Sequence, residues 1–423
     1  MRARQILIAL VIAALPVGFM YSTLVQGRPL ARDDASAMVY PIFHAIDSSL
    51  EQGSLYLWDS RQWCGLAALG TGQCLSLYVL AVALHAALPW MTALHVGYWL
   101  HLAAALAGVF WVARNLGASR RAAVVGAAAY AFSGFAAAHL IHFNLIVASA
   151  WVPLMLAVLQ TALDRGSPRW WALFAVVSAI AFTGSHPQVF LMAATVCLLW
   201  VIFGHDWRGD DTAVHARLLP LVLAGVVAVL LVAPQLLPTM ELAEAQGKVA
   251  AVDTASAMER IAAYPFRARD LVRVLVPNFF GTVHRNILGG GPQWHETNPF
   301  TGAAPLLLGI AGAIVAFRRR GWGFCVATFA VGAALMPAEG NPIHAALAKL
   351  PLWGGFRATG RWMVLPILSL SLLSALAITH LPQARAELRR ATGRTVGALA
   401  GLITTITAIV WLTFGVDAEG RLW

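Results

Sequence analysis

The chain has 423 residues, of which 59% are hydrophobic and only 11% are charged. Apolar runs of about 20 residues recur from end to end, which excludes a soluble protein; backbone groups in lipid must be satisfied within their own segment, so these runs are helices. The formal net charge of +10 does not point to nucleic acid, because arginine gathers in short loops between apolar runs, where it sets membrane orientation.

Met1-Arg2-Ala3-Arg4 precedes an apolar run from Gln5 to Leu24. Its length, and the lack of a small-x-small site after it, favour a membrane anchor over a cleaved signal peptide. With the basic end inside, the following loop lies outside. Further spans are expected at 92–113, 121–138, 145–163, 170–184, 187–204, 217–238, 300–317, 321–337, 361–381 and 395–415. The run 75–90 ends in Leu88-Pro89-Trp90 and reads as a re-entrant or surface helix, since a full span there would invert every later loop. The expected fold class is all-α: a polytopic membrane bundle of about 11 transmembrane helices, a single membrane domain over 1–423.

Charge supports this alternation. Sixteen of the 29 Lys and Arg residues fall inside, at Arg2 and Arg4 and in the loops Arg114–Arg121, Arg165–Arg169, Arg208–Arg217, Arg318–Arg320 and Arg385–Arg394. The short outer turns around His139–Asn144 and Ser185–Pro187 carry none, as positive-inside asymmetry requires. The amino terminus is then inside and the carboxyl terminus outside. Function concentrates on the outer face, in loops 25–74, 239–299 and 338–360.

The first outer loop opens on Arg32-Asp33-Asp34 and continues through Tyr40, His44, Asp47, Glu51, Trp58, Asp59, Arg61, Gln62 and Trp63. Two readings stand for the Asp pair: Asp34 caps a short helix from Ala35 to Leu50, or a carboxylate here is catalytic. Cys64 and Cys74 share this loop and can pair if it faces an oxidising compartment. Cys197 and Cys325 lie inside apolar runs and read as packing. The long loop 239–299 carries an amphipathic helix around Ser256–Tyr264 and a Gly289-Gly290-Gly291-Pro292 turn. Loop 338–360 contains Asn341-Pro342 and Gly354-Gly355.

Other polar groups sit at expected outer helix ends: His139, His142 and Asn144; His186-Pro187-Gln188; Trp294-His295-Glu296; and Arg357 with Arg361. Plain readings exist for most. The first group caps helix ends, Pro187 starts a helix, and Arg361 snorkels. Arg357 stands out because the short outer turns carry no positive charge. If the segment is helical, a spacing of four puts Arg357 and Arg361 on one face. The histidines show no metal-ligand spacing of a known kind. No cofactor is expected, and a need for a divalent metal stays open.

A carboxylate loop and an arginine pair on one face suggest a reaction. The carboxylate takes a proton from an acceptor hydroxyl, and the guanidinium groups hold a phosphate leaving group. A phosphate joined to a lipid chain reaches that depth from the bilayer. The candidate catalytic residues are Asp34 and its neighbour Asp33. The candidate substrate-binding residues are Arg357, Arg361, His186, Gln188, Glu296, Tyr40, Trp58 and His142.

The order of motifs resembles the YfhO-like family of bacterial membrane proteins, which belongs with the GT-C glycosyltransferases. The pieces are Asp34 through Tyr40-Pro41; Leu57-Trp58 with Gly65; Ala129-Tyr130-Ala131-Phe132-Ser133-Gly134 and Trp151-Val152-Pro153-Leu154; Gly184-Ser185-His186-Pro187-Gln188; Val276-Pro277-Asn278-Phe279-Phe280-Gly281 with Glu296 and Gly302; and Phe356-Arg357 with Arg361. No piece is specific alone; their order across most of the chain is more so. The resemblance implies an acidic catalytic residue in the first outer loop, here Asp34, or Asp33 in its place. It implies a polyprenyl-phosphate-type sugar donor, a cell-envelope acceptor, contact with membrane lipid, and a bacterial cytoplasmic (inner) membrane location. Met38 departs from the pattern by standing where a polar Gln is expected. Larger relatives carry more helices, so part of the acceptor-binding apparatus is expected to be absent. The competing readings are a transporter or flippase for a lipid-linked sugar, and a non-catalytic envelope assembly partner. Charged residues deep in the spans would favour transport; the expected span interiors are almost free of them.

Overall fold

The computed structural model describes residues 2–30, 33–62, 64–207, 214–246, 254–282, 285–286, 294–317, 319–350 and 353–380. Those residues are mostly helical, with a single two-residue hairpin, Gly281–Thr282 against Arg285–Asn286. The helices begin with α1 (Arg2–Phe19), α2 (Tyr21–Leu24), α3 (Tyr40–Glu51), α4 (Val79–Ala87), α5 (Trp90–Asn115) and α6 (Arg120–Ala131). They continue with α7 (Gly134–Ala138), α8 (Phe143–Arg165), α9 (Pro168–Gly184), α10 (Pro187–Phe203) and α11 (His215–Ala245). The last are α12 (Thr254–Ile261), α13 (Ala303–Val315), α14 (Trp322–Leu335), α15 (Pro342–Leu347) and α16 (Thr359–His380), the first turns of α16 being 3₁₀.

Among the described residues, five segments are long and apolar enough to cross a bilayer: α5, α6 with α7, α8, α11 and α16. The described part of α1, α10, α13 and α14 are shorter apolar helices, and the expected span at 170–184 is α9. The run 75–90 folds as the nine-residue α4, too short to span, as its Leu-Pro-Trp end suggested. The run 395–415 and the basic loop Arg385–Arg394 lie outside the described residues, as does the Gly289–Pro292 turn.

Helix α16 is the hub. Lipid tails are as apolar as leucine, so close packing rather than hydrophobic burial selects helix neighbours, and small residues let backbones approach. Gly126 of α6 lies against the Ser371 carbonyl, and Gly312 of α13 against the Leu373 carbonyl; an added Cβ would come within 2.6 and 2.0 Å of those oxygens. α8 is almost wholly buried between α5, α9 and α10, whereas α11 shows leucine and valine outward along most of its length.

The described parts of the basic loops collect at one end of the bundle. The Arg320 guanidinium meets both Asp164 carboxylate oxygens at 2.6–2.7 Å, joining the ends of α8 and α13. Arg217 lies over Gly166, Gly321 packs on Leu116, and the Ser119 N–H donates to Thr379 Oγ1 at the far end of α16. The described parts of the three loops expected to be outer meet at the opposite end.

The first loop corrects two expectations. A π-helical turn, Ala35–Val39, runs directly into α3, but Asp34 is not a cap: its backbone is helical and its side chain bonds none of the following N–H groups. Nor do the loop cysteines pair. Cys64 is exposed on a turn with φ +63°, while Cys74 is buried with its sulfur 3.0 Å from Ser76 Oγ. Alkylation of the native protein without reductant is therefore expected to label Cys64 and spare Cys74 until unfolding. A joined Cys64–Cys74 peptide in a non-reduced digest would contradict this.

Candidate active site

These loops close around a cavity of about 490 Å³. Its wall takes Asp33, Asp34 and Met38 from the first loop, Gln73 from the stretch before α4, and Ile141, His142, Asn144 and Leu145 from the α7–α8 turn. His186 comes from the α9–α10 turn, Tyr264, His295 and Glu296 from the long loop, and Arg357 and Arg361 from the entry to α16. Residues more than 300 positions apart in sequence thus share one wall.

The loop carboxylates have separate fates. Asp59 is buried, taking hydrogen bonds from Tyr56 Oη, the Arg61 backbone and side chain, and Gln62. Burial alone would raise its carboxyl, but these bonds hold it at about 2. It closes the loop rather than serving the cavity. Asp47 pairs with His85 at 3.0 Å. Asp33 and Asp34 line the cavity. Asp33 occupies the left-handed region at φ +44°, a conformation aspartate tolerates better than most residues. That turn directs the chain so that Asp34 Oδ2 lies 3.1 Å from His142 Nε2, with its side chain still 53% exposed. An ionised carboxylate only accepts, so Nε2 carries the proton. The His142 hydrogen bond is the main reason the Asp34 carboxyl sits below its ordinary value; partial burial opposes it, and His295 and Arg357 add favourable charge. Arg32, the cation expected to assist, lies outside the described residues.

Beneath Asp34 lies a buried ion pair. Arg361 Nε reaches both Glu296 oxygens at 2.9 and 3.1 Å, and its NH2 also reaches Oε1. Arg361 NH1 donates to His186 Nε2 at 3.2 Å and to Gln188 Oε1 at 3.3 Å. Burial alone would raise the Glu296 carboxyl, but Arg361 opposite and His139 beside it hold it well below the usual range. Burial and then the Arg361 charge depress His186, whose Nε2 faces a group that can only donate and so is unprotonated. His295 is pushed down to about 4 by burial first. Gly360 makes the contact possible: a Cβ there would fall 2.0 Å from the Glu296 carbonyl oxygen. The stretch after Glu296 is tied to α7 by the Gly134 N–H donating to the Phe300 carbonyl at 2.6 Å.

Arg357 differs from Arg361. Its side chain is exposed and its guanidinium carbon lies 5.1 Å from the Tyr264 ring centroid, a cation–π arrangement. The two arginines share the cavity, but not as a helical i, i+4 pair: Ala358 is left-handed at φ +57° and the helix begins only at Thr359. Arg361 was expected to bind substrate phosphate beside Arg357. Its guanidinium is bonded to Glu296, His186 and Gln188. Gln188 is itself buried behind the wall, its NH2 directed at the Ala358 carbonyl at 3.4 Å.

Besides Gln188, two further expected binding residues are not brought to the cavity. Tyr40 packs edge-on against Trp90 at 5.6 Å. Trp58 is exposed and lies over Gly65, away from the wall. Conversely, sequence reasoning gave no role to Gln73 or Tyr264, and noted Asn144 and His295 without assigning them a site. Nothing in local spacing marks a lone glutamine before a short helix. Met38, expected to be polar, lines the wall as an apolar residue. Among the described residues no group of three or more His, Cys, Asp or Glu is arranged to hold a metal ion.

No family model and no curated protein matches the chain. Solved structures do. The mycobacterial arabinofuranosyltransferase AftD, in one cryo-EM class of a point variant, superposes with a TM-score of 0.51 at 18% identity over 95% of this chain. A second class of that variant gives 0.48 at 16% identity over the same share. The chain has a GT-C-like fold. It spans 27% of the length of the first of those chains, so the likeness concerns only part of a much larger protein.

Proposed function

We propose that the protein is a GT-C-type membrane glycosyltransferase that moves a sugar from a polyprenyl-phosphate-type lipid donor to a cell-envelope acceptor at the outer face. The observation that carries this reading is the shared cavity, with an ionised, half-exposed Asp34 on one wall and the exposed Arg357 guanidinium on another. The fold likeness to a protein named as an arabinofuranosyltransferase is consistent with it.

In this mechanism an acceptor hydroxyl gives its proton to Asp34 as its oxygen attacks the anomeric carbon. The bond from that carbon to the phosphate oxygen breaks, and its electron pair leaves with the lipid phosphate. Arg357 neutralises the charge that develops there. His142 orients the base. Glu296, His186 and Gln188 hold Arg361, and with it the entry to α16 that carries Arg357. A single displacement of this kind inverts the anomeric centre. Transport is less well supported: in the described apolar helices, Asp, Glu, Lys and Arg lie near helix ends rather than along a path through the spans.

The donor assignment is tested at Arg357. Arg357→Lys keeps the charge but not the planar fork, so turnover is expected to fall about tenfold or more, and Arg357→Ala further still, with weaker binding of decaprenyl phosphate. Wild-type affinity and rate in Arg357→Ala would rule the role out.

A further inference from the structure

The reaction just described uses the acidic and cationic walls of the cavity and leaves a third, neutral wall without a task. Asn144 Nδ2 donates to Gln73 Oε1 at 2.7 Å, so α8 and the loop before α4 hold each other by their carboxamides. Asn144 is 4% exposed, and its Oδ1 has no hydrogen-bond donor among the described residues. Two residues earlier, His142 Nδ1 is buried and equally without a partner. Buried acceptors left unmade are costly and uncommon, and two on one turn of a cavity wall need a donor. Gln73 is only partly buried, and its NH2 carries no hydrogen bond among the described residues. The pattern does not depend on which way the amides are turned. Reversing both would still leave one NH2 and one carbonyl oxygen unused.

We infer that Gln73 and Asn144 form the subsite that recognises the hydroxyls of the transferred sugar, and that this sugar is neutral. Resting on the donor reading above, the inference assigns chemistry to the part of the donor that Arg357 does not touch. A sugar hydroxyl both donates and accepts, so adjacent hydroxyls match one amide NH2 and one orphaned oxygen. Neither carboxamide bears charge, which suits an uncharged ring. The neighbouring Asp33 and Asp34 repel a sugar carrying a carboxylate. Asn144 has a second effect, through Gln73: its hydrogen bond fixes the glutamine, so losing it loosens the reader as well as removing an acceptor.

The test uses the full-length protein in nanodiscs and three probes: decaprenyl phosphate, decaprenyl-phosphoryl glucose and decaprenyl-phosphoryl glucuronate. Wild type is expected to bind the glucosyl lipid about tenfold more tightly than bare decaprenyl phosphate, the scale of one or two net hydrogen bonds, and to bind the glucuronyl lipid more weakly than the glucosyl one. Gln73→Ala and Asn144→Ala should each erase the glucosyl advantage while leaving the affinity for bare decaprenyl phosphate unchanged, which also shows that the variants fold. Gln73 is on a loop, so its variant is the safer of the two. A glucosyl advantage that survives in both variants, or that wild type lacks, overturns the subsite. Failure of wild type to bind any of the three lipids would instead overturn the donor reading on which it stands.

Discussion

Asp34→Asn should insert and fold normally, still bind the lipid donor, and lose turnover by roughly 10²–10⁴-fold, the usual cost of a missing general base. The substitution keeps size and polarity and removes the charge that takes the proton. Asp33→Asn should do much less, because His142 holds Asp34 in its cavity-facing position. A full loss in Asp33→Asn with an active Asp34→Asn would move the base by one residue. Activity in the double variant would remove the carboxylate mechanism. The pH profile adds an independent readout. The folded-state carboxyl of Asp34 lies below its ordinary value of 3.8, so the base stays ionised until pH falls through that depressed value. The His142 hydrogen bond is the largest cause of the shift, so His142→Ala should move the acid limb of kcat/KM to higher pH. An unmoved limb would show that His142 does not hold the charge.

The second large effect is structural. Glu296 and Arg361 are both buried and face one another, so removing one leaves the other uncompensated in a poorly solvated place. Glu296→Met or Arg361→Met alone should each destabilise the protein by about 3–5 kcal/mol, read as a lowered unfolding temperature in detergent. Combining Glu296→Met with Arg361→Met should recover much of that loss, since a buried pair replaced by apolar groups of similar size is often near neutral. Additive losses, or a single variant as stable as wild type, would show that the pair is not coupled in the fold. The effect on activity should exceed the effect on stability, because Arg361 sits at the helix entry that also positions Arg357.

Long apolar runs made the helices legible, and loop arginines made the two ends of the bundle legible, because both signals are local. Asp34 and Arg357 could be singled out because a charge on the outer side of a span needs a reason. What spacing could not show was which of the outer polar residues share a wall. Tyr40 and Trp58 sit in the right loop, but α3 turns Tyr40 toward Trp90 and the turn at Gly65 takes Trp58 away. Arg357 and Arg361 have helical spacing, yet left-handed Ala358 separates them and the pairing of Arg361 with Glu296 spans 65 positions. Gln73 meets Asn144 across 71 positions, and no pattern in either segment announces the contact. Ion pairs and amide pairs between distant loops are products of tertiary packing, so they become visible only when the helices are assembled.

The central claim is that a sugar is covalently moved rather than carried. It is tested most directly in proteoliposomes holding the purified protein, decaprenyl-phosphoryl glucose labelled in the sugar, and a cell-envelope glycan fraction on the outer side. Transfer is expected to release free decaprenyl phosphate in step with label entering the glycan, and to stop in Asp34→Asn. Intact labelled lipid appearing in the opposite leaflet, with no decaprenyl phosphate released, would contradict it.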